Sequence, residues 1–187
     1  MKNKSKSIAL GGLMTALSVI LLYLASILPT GTLVLVSIAS LPVAIMIMEE
    51  NYKYGLLTYA TTGLVFFLVS GNLKGLVTYL IFFGIYPIIK HIAERLPFII
   101  KEFALKLGFF NLSLLILVLA FKVLGVDFLM LVKEMNLPFG ISNASSGIAY
   151  WILPYILFAI AQAAFIAYDY GFSILIGFYI KRVSLKG

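Results

Sequence analysis

The chain has 187 residues, 63% of them hydrophobic and only 11% charged, with a formal net charge of +7. Soluble proteins carry about 25% charged residues, so this composition excludes an ordinary soluble domain and indicates a single integral membrane domain over residues 1–187. The lack of cysteine removes disulfide frameworks and thiolate metal sites, and the single His91 removes multi-histidine sites.

The first 42-residue apolar stretch, Ser7 to Met48, contains no Asp, Glu, Lys, Arg or His. As one helix it would run roughly 60 Å, about twice the apolar thickness of a bilayer. Pro29-Thr30-Gly31-Thr32 breaks it, so the stretch reads as two spans, Ile8–Leu28 and Leu33–Met48. Lysines before the first span give it the look of a signal peptide. The apolar segment is about 20 residues long without a small-x-small cleavage site, so a retained helix is expected.

Four more spans follow from hydropathy: Tyr54–Ser70, Leu73–Ile89, Phe103–Leu124 and a long final one near Tyr150–Ile180. Glu49–Lys53 joins the second and third, Gly71-Asn72 the third and fourth. His91–Glu102 is a charged connector broken by Pro97, and Gly125–Ala149 is the longest loop. The expected fold is therefore all-α, a polytopic bundle of six transmembrane helices.

Orientation follows from the basic residues. With the amino terminus inside, the cytoplasmic set is Lys2, Lys4, Lys6, Lys53, Lys90, Arg95, Lys101, Lys106, Lys181, Arg182 and Lys186. The outer set is Lys74, Lys122 and Lys133, so the ratio is eleven to three. This bias predicts a multi-pass cell-membrane protein with both termini cytoplasmic. The same placement, flanking apolar spans, argues against nucleic acid as the reason for the positive charge.

Small residues at helical spacing mark faces where membrane helices approach closely. The first span offers Ala9, Gly12 and Ala16; the last offers Ala159, Ala163, Ala167 and Gly171. Packing within the bundle and docking to another membrane subunit both suit such stripes. On the last span Trp151, Tyr155, Gln162, Asp169 and Ser173 share a second line. Asp169 is the one acidic residue well inside an apolar span, a costly position that needs a structural partner or serves a function.

Lys74 and Tyr79 of the fourth span, Lys122 of the fifth, and Trp151, Tyr155 and Gln162 of the sixth are candidates for a ligand pocket opening outward. Aromatics would enclose a small molecule while cations and amides fix its polar end. Interfacial anchoring explains the same residue types, because Trp and Tyr favour membrane interfaces and lysines snorkel. No phosphate-binding glycine loop, HExxH or GxSxG is present, so neither catalysis, a metal nor a cofactor is expected.

Three features resemble the substrate-binding S component of energy-coupling-factor (ECF) vitamin transporters. Leu13-Met14-Thr15-Ala16-Leu17-Ser18-Val19-Ile20 lies in a first helix with a small-xxx-small step from Gly12 to Ala16. Ser40-Leu41-Pro42-Val43-Ala44 leads into a charged turn and then Tyr54-Gly55-Leu56-Leu57. Six spans in under 200 residues complete the likeness. The resemblance implies a transmembrane T subunit and two ATP-binding A subunits as partners, docking through the face of Ala9, Gly12 and Ala16, and capture of a vitamin-like nutrient. A structural role resembling the D-type rod-shape morphogenesis proteins is the alternative, although Val65-Phe66-Phe67-Leu68-Val69-Ser70 lacks that family's acidic residue. An unclassified small transporter or flippase is a third.

Overall fold

The computed structural model describes residues 4–28, 31–125 and 148–184, with the backbone alone at 148–154, 183 and 184. Among the described residues the chain is helical throughout, without strands: α1 (Lys4–Ile27), α2 (Thr32–Ile38), α3 (Leu41–Glu49), α4 (Tyr52–Ser70), α5 (Leu73–Thr78), a π-helical turn (Tyr79–Phe83), α6 (Tyr86–Ala93), α7 (Ile99–Val123) and α8 (Ile148–Ser184). Five stretches are long and apolar enough to cross a membrane: Lys4–Ile27, Thr32–Glu49, Leu73–Ala93, Ile99–Val123 and Tyr155–Arg182. They overlap in sequence with five of the six expected spans. The remaining helix, α4, has 19 residues and buries Gly55, Thr58, Thr62, Gly63 and Phe66, a small and polar face suited to protein neighbours.

The packing divides the chain into two compact units, Met1–Leu117 and Val118–Gly187. In the first, α4 packs along α1 and α3. Ser7 Oγ donates to Glu50 Oε2 at 2.8 Å, and the Thr15 and Thr61 hydroxyls meet at 3.0 Å, so α1 and α4 run in the same direction. Close approach depends on missing side chains. A Cβ on Gly55 would overlap the Ile47 side chain, and one on Gly63 would stand 2.6 Å from Leu80 Cδ2. The core gathers Leu22, Val36, Val43, Met46, Phe66, Tyr79 and Tyr86, each nearly or fully inaccessible.

Local chemistry sets the element ends. Asn51 Oδ1 accepts from the amides of Lys53 and Tyr54, capping α4. Gly71 ends that helix at φ 61°, in the left-handed region that glycine enters without a Cβ clash. Asn72 then caps α5 by accepting from Gly75 N at 3.0 Å. The expected second span is interrupted at Ala39-Ser40, and Pro42 sits in the first turn of α3, where its missing backbone donor costs nothing.

Two connectors are shorter than the sequence suggests. Glu50 and Asn51 alone link α3 to α4. The expected His91–Glu102 connector shrinks to Glu94–Phe98, because α6 continues through Ala93 and α7 starts at Ile99. The i,i+4 pairs Lys90–Glu94 and Glu102–Lys106 bracket the connector, so the charges there support the helix ends rather than terminate them. Pro97 holds the break itself.

The second unit contains the end of α7 and all of α8. At 37 residues α8 is about 55 Å long, well beyond the roughly 30 Å of a bilayer core. The expected loop Gly125–Ala149 lies, from 126 to 147, outside the described residues.

Candidate functional site

The first unit presents a groove of about 250 Å³ between the Lys4 end of α1 and the Tyr52 end of α4. Gly11 allows it to form: a Cβ there would touch Met46 and the Thr58 hydroxyl at 3.6 and 3.8 Å, so the helices lie near contact distance. Thr15 and Thr61 tie its walls together, with Thr61 also donating to the Leu57 carbonyl at 2.8 Å. Ser7 closes one end through Glu50. Serine and threonine hydroxyls that bond within or between helices leave a neutral surface, suited to another helix rather than to charge-driven chemistry.

Of the expected docking residues, Gly12 lines this groove. Ala9, Gly12 and Ala16 are all exposed, and nothing lies within 4 Å of the Cβ that Gly12 lacks. On α8, Ala159, Ala163 and Ala167 are likewise exposed and Gly171 is half-buried.

Deeper in the first unit stands a device that sequence reading missed. The π-helical turn closes through Gly84 N donating to the Tyr79 carbonyl at 2.7 Å. Such a turn displaces carbonyls from the helical ladder, and in lipid they must be satisfied by protein. Tyr59 Oη donates to the Leu80 carbonyl at 2.9 Å, and Ser113 Oγ donates to the Ile81 carbonyl at 3.2 Å. The turn is thus gripped from α4 and α7 at once. A Cβ on Gly84 would stand 2.6 Å from the Tyr79 ring and 2.8 Å from the Tyr59 ring. Phe82 adds aromatic contacts to Phe83, Tyr86, Phe109 and Phe110 at centroid distances of 4.8, 5.8, 6.0 and 5.6 Å. No sequence motif marks a π turn; the tyrosine and glycine content was the sole visible signal.

Beside it, Thr62 and Tyr79 are fully buried. Their hydroxyls stand near each other without closing a hydrogen bond. Ser18 Oγ is a third buried hydroxyl lacking a partner among the described residues.

In the same unit Lys90 and Lys106, 2% and 4% exposed, form an ion network. Lys90 Nζ lies 2.9 Å from Glu94 Oε1, while Lys106 Nζ lies 2.6 Å from Glu102 Oε1 and 3.8 Å from Glu94 Oε1. Glu94 thereby joins α6 to α7 across the Pro97 break.

The residues expected to form a ligand pocket occupy contrasting environments. In the first unit, Lys74 is exposed, whereas Tyr79 of the same span points into the core beside Tyr59, with ring centroids 6.0 Å apart. In the second unit, Lys122 is exposed, Tyr155 is 76% exposed and Gln162 is half-buried. The side chain of Trp151 lies outside the described residues. Asp169 is half-buried and engaged, and Ser173 Oγ donates to its backbone carbonyl at 2.9 Å. Among the described residues no group of three or more His, Asp or Glu is placed to hold a metal ion.

Comparison with known proteins finds no match to a family model, to a curated protein or to a solved structure.

Proposed function

We propose that this chain is the substrate-capturing membrane subunit of an ECF-type uptake transporter for a small, vitamin-like nutrient. In this reading it crosses the cell membrane six times, α4 included, with both termini in the cytoplasm. Energy comes from two partner ATP-binding A subunits through a transmembrane T subunit. The observation that carries the reading is the face of α1 on which Ala9, Gly12 and Ala16 are exposed, with Gly12 lining the neutral groove shared with α4. A small-residue face left open toward lipid is where a second membrane helix gains close van der Waals contact. The captured molecule is a small polar or amphipathic nutrient. Lys74, Tyr79, Lys122, Trp151, Tyr155 and Gln162 are the residues to be tested for contact with it, one substitution at a time.

The experiment is purification of the tagged chain from native membranes, with identification of co-purifying proteins, for the parent and for Gly12→Leu. The parent is expected to bring down a T subunit and ATP-binding subunits. Overpacking at Gly12 is expected to weaken that assembly roughly 5- to 150-fold, the equivalent of about 1–3 kcal/mol. Recovery of cell-wall synthesis proteins instead, or normal assembly by Gly12→Leu, overturns the proposal.

A further inference from the structure

The break between α6 and α7 carries an apolar tip flanked by exposed cations. Ile92, Phe98, Ile99, Ile100 and Phe103 are 50%, 59%, 84%, 82% and 47% exposed. The break separates two helices each long and apolar enough to cross a membrane, with only Glu94–Phe98 between them. It must therefore lie at a membrane–water interface, where apolar side chains reach the acyl boundary and charges stay at headgroup level.

The charges near the tip divide unequally. Glu94 and Glu102, the carboxylates of this segment, are spent on the buried Lys90 and Lys106. Arg95 and Lys101 are exposed and have no carboxylate partner among the described residues. Lys101 Nζ sits 4.9 Å from the centroid of the Phe98 ring, so one cation is held directly over the apolar tip. The inner network thus removes the local negative charge and leaves two outward-facing positive groups around a lipid-exposed wedge.

We infer that this elbow is a binding site for an anionic phospholipid, with Arg95 and Lys101 at its phosphate headgroup and Ile99 and Ile100 against an acyl chain. A zwitterionic lipid satisfies the apolar part equally well but brings its own ammonium toward the cations, so the site selects on net charge. Which leaflet supplies the lipid follows from the topology proposed above. The binding itself does not depend on any transport partner or nutrient.

The test uses the full chain purified in neutral detergent, with phosphatidylglycerol and phosphatidylcholine of identical acyl chains as probes and native mass spectrometry as the readout. Each surface cation contributes about a five-fold preference for anionic lipid at low salt, so the pair should give roughly 25-fold. Arg95→Gln with Lys101→Gln is expected to bring the ratio close to one. Lys4→Gln with Lys53→Gln, the same change in net charge elsewhere, should leave it intact. Equal retention of the two lipids by the parent overturns the inference. So does an equal loss in the Lys4/Lys53 pair, which would assign selectivity to overall charge. A photo-crosslinking residue at Ile100 separates lipid from protein: discrete protein adducts in native membranes, in place of lipid adducts, would make the elbow a protein contact and sink the inference.

Discussion

Glu94 is the residue on which the junction of α6 and α7 turns, and Glu94→Gln is the informative perturbation. In the parent its Oε1 serves Lys90 at 2.9 Å and Lys106 at 3.8 Å. Glutamine keeps the shape and removes the charge, leaving Lys90 buried at 2% exposure without its nearest carboxylate. Breaking a fully buried pair in this way costs about 3–5 kcal/mol. Glu94 itself is 47% exposed, and Lys90 retains other contacts, so solvent and neighbours recover part of that cost. The expected loss is about 2 kcal/mol, equivalent to a fall of about 4–8 °C in melting temperature for a chain of this size. Glu102→Gln should cost less, because Lys106 keeps Glu94 within reach. Lys90→Met combined with Glu94→Gln should recover most of the loss, since an apolar side chain replaces the stranded ammonium. Thermal unfolding in detergent micelles, followed by helical circular dichroism, measures all three. A Glu94→Gln protein that melts within about 1 °C of the parent refutes the reasoning, because so small a shift is well under 1 kcal/mol.

Other consequences can be checked on the same preparation. Gly84→Ala drives a Cβ into the Tyr59 and Tyr79 rings, so it should destabilise by about 1–3 kcal/mol despite being a minimal substitution. Tyr59→Phe strips the Leu80 carbonyl of its donor and should cost about 1–3 kcal/mol. Thr62→Val removes a buried hydroxyl with no hydrogen-bond partner among the described residues, so it should be neutral or mildly stabilising; a loss comparable to that of Tyr59→Phe would show the hydroxyl to be satisfied. For topology, a cysteine placed at Asn143 should react with an impermeant maleimide in intact cells, while one at Lys53 should react only after permeabilisation. The reverse pattern would invert the orientation.

Apolar run length, the Pro29–Gly31 break and the Gly71-Asn72 turn were enough to show an all-helical chain of long apolar segments, because a bilayer demands uncharged runs and internally satisfied backbones, but not the Ala39-Ser40 interruption or the π turn. Asn51 and Asn72 as caps, and Gly71 at positive φ, are likewise local chemistry. Periodicity also identified the small face of α1, although whether Ala9, Gly12 and Ala16 were covered by the bundle depended on where the neighbouring helices lie. Only the tertiary structure left them exposed. The same holds for Tyr79, which reads as an interfacial aromatic in sequence but is drawn into the core by Tyr59, Gly84 and the π turn. Lys90 and Lys106 count in the sequence only as cytoplasmic-side charges, and their burial shows once Glu94 and Glu102 are brought beside them. Hydropathy averages over a segment, whereas burial of a single tyrosine or lysine is decided by the few atoms that fold against it.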